Sequence, residues 1–123
     1  MAITQTTVIP KTVIGEDIAI AIYAVTFDTS YPTGGEALDC TDFSLVRGIE
    51  HVGSTALADN GYAIRAVFPR STTPSSSNCL LSVWQNWDPA GAGSADRVDV
   101  EYPTGTDLVA NLAGPVMILV IGR

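Results

Sequence analysis

Four groups of side chains in this 123-residue chain could carry chemistry. His51, the only histidine, would be the natural general base. No serine near it stands in a Gly-x-Ser-x-Gly setting, so no nucleophile, base and orienting acid can be assembled from a local signature. It reads as a surface or strand histidine, and the chain reads as no enzyme. Asp88, Asp96, Asp99 and Glu101 surround a Gly-rich stretch and offer the carboxylate oxygens that hard cations such as Ca²⁺ take. Their spacing matches no calcium loop, and a wet strand face next to a polar turn accounts for them without metal. Trp84, Trp87 and Tyr102, with Tyr31 and Tyr62, could present flat faces to sugar C–H surfaces, although core packing uses the same residue types. Cys40 and Cys79 stand far apart with no Cys-x-x-Cys, which excludes a zinc knuckle or a dense disulfide scaffold. They read as buried free thiols. Spacing alone leaves a single bridge between them open, because bridging depends on where the Cβ atoms meet. No cofactor and no metal is implied.

The elements that would position these groups are strands. Residues 1–14 mix β-branched Thr, Val and Ile with Pro10, which cannot donate to a ladder, so they suit an edge strand or an extended arm toward a neighbouring subunit. From Asp17 to Asp28, Ile18, Ile20 and Ile22 alternate with Ala19, Ala21, Tyr23, Val25 and Phe27. Both faces are apolar, which predicts a central strand covered on two sides. Small alanines on an exposed side there would let subunits approach closely. Thr29 to Glu36 is a compact turn, with φ preset at Pro32 and positive φ open to Gly34 and Gly35. One helical turn capped by Thr41 or Asp42 fits near Phe43, and Val46 to Ala58 reads as a strand or strand pair.

Asp59, Asn60 and Gly61 give the strongest hairpin signal, followed by a strand from Gly61 to Phe68 whose Arg65 side is wet. Ser71 to Asn78 is loop and Cys79 to Trp87 a strand. Asp88 to Asp96 is loop, and Val98, Val100 and Tyr102 mark a strand with one wet face. A helical turn over Asp107–Ala113 and a last strand apolar on both faces, Pro115 to Ile121, complete the chain. Six or seven short strands without a long helix make a single mainly β domain over residues 1–123, a small β-sandwich, with a jelly-roll-like or partly open barrel as the alternative.

Composition narrows the function. Only 15% of residues are charged, with six Lys and Arg against thirteen Asp and Glu and a net charge of −7. A globular domain carries about 25%. Mean hydropathy is +0.27, more apolar character than a small monomer hides easily, so a homo-oligomer is expected. The pI of 4.3 disfavours nucleic acid, because phosphate binding needs clustered cations. The longest apolar run, Ile18 to Val25, falls far short of the roughly 20 residues of a membrane span. Met1 is followed by no signal-peptide pattern, so the chain reads as soluble and unexported. A basic patch made from Lys11, Arg47, Arg65 or Arg70 would favour bridging to a larger assembly.

At Val25–Asp39, VTFDTSYPTGGEALD, the chain resembles a family of small virion proteins of tailed bacteriophages, in which a strand runs into an F-D-x-S-Y-P-T-G-G-E segment. The distal end looks similar, with Thr106, Asp107 and Leu108 ahead of an apolar strand and the short polar tail Gly122–Arg123. Between Arg47 and Pro103 no family motif is present, so about a third of the chain is covered. The resemblance implies a capsid decoration, or cement, protein on the outer capsid surface of the virion, made in the bacterial host cytoplasm. It further implies a β-sandwich assembled as a homotrimer on the major capsid protein. Tyr31, Pro32, Gly34, Gly35 and Glu36 are then expected to form a rigid turn near an interface, with Tyr31 and Glu36 offering contact side chains. The other class open to the sequence is a receptor- or carbohydrate-binding module of a tail fibre or capsid surface, recognising a host-surface glycan.

Overall fold

A computed structural model describes residues 3–54, 63–69, 71–75, 78–87, 98–102, 104–105, 107–108 and 115–123. The described part is mainly β, in two antiparallel sheets that do not close into a barrel, consistent with a small β-sandwich. The strands are β1 (Thr4–Gly15), β2 (Ile18–Thr26), β3 (Glu36–Ala37), β4 (Val46–Ser54), β5 (Ala63–Val67), β6 (Leu80–Trp87), β7 (Val98–Glu101) and β8 (Val116–Gly122). The first sheet runs β1-β2-β8-β4. In the second, β6 is flanked by β5 on one side and by both β3 and β7 on the other.

Period-two patterning explains the core. On β2, Ala19, Ala21, Tyr23 and Val25 are buried, with Phe27 just beyond; on β8, Val116, Ile118 and Val120 are buried. They meet Cys79, Leu81 and Val83 from the second sheet, with Tyr31, Leu38, Phe43 and Leu108 filling between. Each large side chain removed from water there contributes about 1.5–3 kcal/mol. Gly122 permits the tightest approach, since a Cβ would run into the Leu45 carbonyl oxygen and the Phe43 ring. That contact lets Arg123 and Leu45 exchange backbone hydrogen bonds past the end of β8, at 2.9 and 3.3 Å.

Several expectations change. The N-terminal segment takes the edge-strand reading rather than the arm: β1 pairs with β2 along its length at the margin of the first sheet, and its register shifts bracket Pro10. Glu16 and Asp17 make the β1–β2 turn, with Asp17 at φ 63°, a left-handed conformation that Asp tolerates. The alanine side of β2 faces the core, because Tyr23 and Phe27 share it; the isoleucine side faces out. No helical turn forms at Phe43: Phe43 N–H donates to Cys40 O (3.0 Å), and Asp39 Oδ1, rather than Thr41 or Asp42, caps the turn by accepting the Thr41 N–H (3.0 Å). Asp59–Gly61 lies outside the described residues. Among the described residues, the strands flanking it pair with β8 and β6. The Asp88–Asp96 loop and most of Asp107–Ala113 also lie outside.

Candidate functional site

The turn from Asp28 to Glu36 is tied down at every step. Asp28 Oδ1 accepts the Ser30 N–H (2.9 Å), and the Gly35 N–H closes onto Pro32 O (3.0 Å). Gly34 and Gly35 adopt φ of 103° and 112°. At Gly35 a Cβ would stand 2.9 Å from Leu81 O, so strand β6 needs glycine there twice over.

Tyr31 is 1% exposed. Its hydroxyl enters the gap on β6 between β3 and β7, accepts the Val83 N–H (3.1 Å) and donates to Glu101 Oε1 (2.6 Å). The same carboxylate oxygen accepts the Gly34 N–H at 2.6 Å. Tyr31 O accepts from Gly105 N–H (2.7 Å), and Thr33 and Thr104 are hydrogen-bonded through backbone and hydroxyl. Burial first, then the Glu101 hydrogen bond, push the phenol far above its ordinary range, so it remains a donor. Glu36, 3% exposed, has its pKa raised by burial and then by the charge of Asp28. Glu36 Oε1 and Asp28 Oδ2 are both buried without a hydrogen-bond partner.

The rigid turn expected from the sequence is therefore present, but the side chains of Tyr31 and Glu36 are committed inside the protomer. Pro32 and Gly35 are half-buried, and the segment presents Thr33 and Gly34 to solvent.

The other candidates do not converge. His51 sits on β4 opposite Ile118, half-buried. Asp88 and Asp96 lie outside the described residues, Asp99 pairs with Asn86 in register, and Glu101 serves Tyr31 and Gly34. Among the described residues no group of three or more His, Cys, Asp or Glu could hold a metal ion. Tyr31 and Tyr102 face the core, so they offer no face to a sugar. Trp84 is half-buried under the Arg65 guanidinium, 4.3 Å from its ring, and Tyr62 lies outside the described residues. Lys11 donates to Asp42 O (2.9 Å) from β1, Arg47 pairs with Asp17 (2.6 Å) from β4, and Arg65 lies on the second sheet. These three cations form no single patch, and Arg70 lies outside the described residues.

What the structure does assemble is an apolar face on the outside of the first sheet. Ile20 pairs with Ile121, Ile22 with Leu119 and Ala24 with Met117, and Ile9 of β1 lies opposite Ile22. These positions alternate with the buried ones, so they point away from the core. The β2 and β8 members are half-buried, shielded by their own neighbours; Ile9 and Val52, on the edge strands, are exposed. Glu50, opposite Leu119, is the one charged side chain at its margin in the described registers. Toward the β1–β2 turn this face continues with Ile18, whereas Val13 (70% exposed) pairs with the inward-facing Ala19 and lies on the opposite side of the edge strand. The sequence signal for this face was visible as two-sided apolar strands. What periodicity could not tell was that the second sheet covers only one side. Compared with known proteins, the chain matches no family model, no curated protein and no solved structure.

Proposed function

We propose that this chain is a structural decoration protein of a tailed-phage capsid, which assembles with copies of itself, as a trimer, and bridges subunits of the major capsid protein from outside. The observation that carries the reading is the apolar outer face of the first sheet, Ile9, Ile20, Ile22, Met117, Leu119 and Ile121. Contiguous apolar patches of this kind mark association surfaces, because covering them removes apolar area from water. Its scarcity of charge lets copies of a −7 chain meet with their carboxylates apart. The resemblance at Val25–Asp39 supplies the virion setting, and several weak contacts held at fixed spacing on a shell would supply avidity. The glycan-binding alternative has less support, since Tyr31 and Tyr102 point inward.

Light scattering on the purified chain should give three times the 12.9 kDa protomer mass, and the assembly should bind empty heads at fixed stoichiometry. Leu119→Lys on the outer face should yield folded monomers that no longer bind heads. A wild-type chain that stays monomeric at high concentration and ignores heads would overturn the proposal.

A further inference from the structure

Two buried thiols that the proposed function does not use lie on neighbouring segments inside the fold. Cys40 follows β3 and Cys79 immediately precedes β6, and both are fully buried. Glu36, Leu38 and Cys40 alternate inward with exposed Ala37 and Asp39. The Leu38 N–H donates to Cys79 O at 2.7 Å, which carries the β3–β6 pairing one step beyond Ala37 and Leu80. Cys40 thus stands diagonally across from Cys79 on the same inward side of two adjacent segments, near enough for each thiol to act on the other's pKa. Diagonal neighbours on one face of antiparallel segments start about 7–8 Å apart, so a bridge closes once the Cys40 segment shifts toward β6.

We infer that Cys40 and Cys79 are a disulfide-forming pair: dithiol in a reducing compartment, and closed in an oxidising medium into an internal staple between the β3–β4 connection and the start of β6. With oxidised glutathione as the oxidant, one thiolate attacks its disulfide and releases one glutathione thiol. The second thiolate then attacks the mixed disulfide and releases the other. The protein loses two protons and two electrons, and one glutathione disulfide becomes two thiols. Burial holds both thiols above their ordinary range, so closure in the native protein is slow and is speeded by conditions that open the segment transiently. The inference is independent of the capsid reading.

The test is incubation of the purified chain with oxidised glutathione, with and without sub-denaturing urea, followed by denaturation, alkylation and mass measurement. The expected product is about 2 Da lighter, takes up no alkylating agent, reverts with dithiothreitol and yields a linked Cys40–Cys79 peptide. Closing a loop of roughly 40 residues should raise Tm by roughly 10 °C. Cys40→Ser and Cys79→Ser should each abolish the internal link, and peptide mapping of the wild type decides the matter if either variant fails to fold. Failure to lose the two hydrogens even in urea, links only between chains, or a lower Tm after closure would each overturn the inference.

Discussion

The two sheets reach the same end, every strand paired, by different means. In the first, β2 and β8 form an unbroken ladder from Ala19–Gly122 to Val25–Val116, and the backbone alone supplies the pairing. In the second, one side of β6 is shared by β3, which pairs with Leu80 and Leu81, and β7, which pairs with Trp84 to Trp87. Between them the Val83 amide has no strand partner, and a phenol hydroxyl takes its place. A ladder of backbone bonds spreads its stability over many equivalent groups, whereas a seam closed by one side chain concentrates it. Single substitutions should therefore act on stability mainly in the second sheet and on association mainly on the outer face of the first.

The largest effect should come from the seam. Tyr31→Ala removes a fully buried ring as well as the hydroxyl and should cost about 3–5 kcal/mol in urea unfolding. Tyr31→Phe keeps the ring and leaves the Val83 N–H and one position on Glu101 unpaired, for about 1–3 kcal/mol. Amide exchange sharpens the comparison: in Tyr31→Phe the Val83 amide should lose protection while Ile22 and Leu119 in the first sheet keep theirs. Unchanged protection at Val83 would show that the hydroxyl does not close the seam.

Gly35→Ala comes next. Its φ of 112° is open to glycine and strained for alanine, and the new Cβ would stand 2.9 Å from Leu81 O. Strain and the displaced β3–β6 contact together should cost about 2–3 kcal/mol, read from the urea midpoint. Gly34 has a similar φ and open space around its Cβ position, so Gly34→Ala should cost less. Equal costs would mean that backbone conformation, not the approach of β6, makes glycine necessary.

The unequal legibility of the two sheets has the same origin. β2, β6 and β8 were readable because each is long enough for alternation to show, and the turn at Pro32–Gly35 was readable from turn chemistry. A two-residue strand such as β3 carries no pattern. Tyr31 meets Glu101 across 70 positions, a separation no local signal encodes, so Tyr31 looked like a surface contact when it is a seam residue. On β2 the sequence showed two apolar faces and could not rank them; the rings of Tyr23 and Phe27 carry the alanines inward and leave the isoleucines outside. The Asp59–Gly61 signal lies outside the described residues, and the described strands on either side of it, β4 and β5, belong to different sheets.

Two carboxylates, one at each sheet, give the smallest and most diagnostic effects. Glu36, at the start of β3, is buried with an unpartnered oxygen beside Asp28, and its pKa is raised. A carboxyl with a raised folded pKa favours the fold while protonated, so this contribution is complete below the ordinary Glu value and is lost as pH rises through the folded pKa. Asp17, in the β1–β2 turn, is half-exposed between Arg123 and Arg47, and its pKa is lowered, first by the Arg123 hydrogen bond. Its contribution has the opposite sign: present above the ordinary Asp value and lost as pH falls through the folded pKa. Glu36→Gln should therefore flatten the loss of stability toward neutral pH and leave the variant more stable than wild type there, with little difference at acid pH. Asp17→Asn, which keeps the left-handed turn accessible, should flatten only the acid side, and because the pair is exposed its effect should fade in high salt. Unfolding curves collected from pH 3 to 8 at two salt concentrations distinguish the two. If Glu36→Gln instead loses stability at neutral pH, the buried carboxylate is bonded into the second sheet and the seam depends on more than Tyr31.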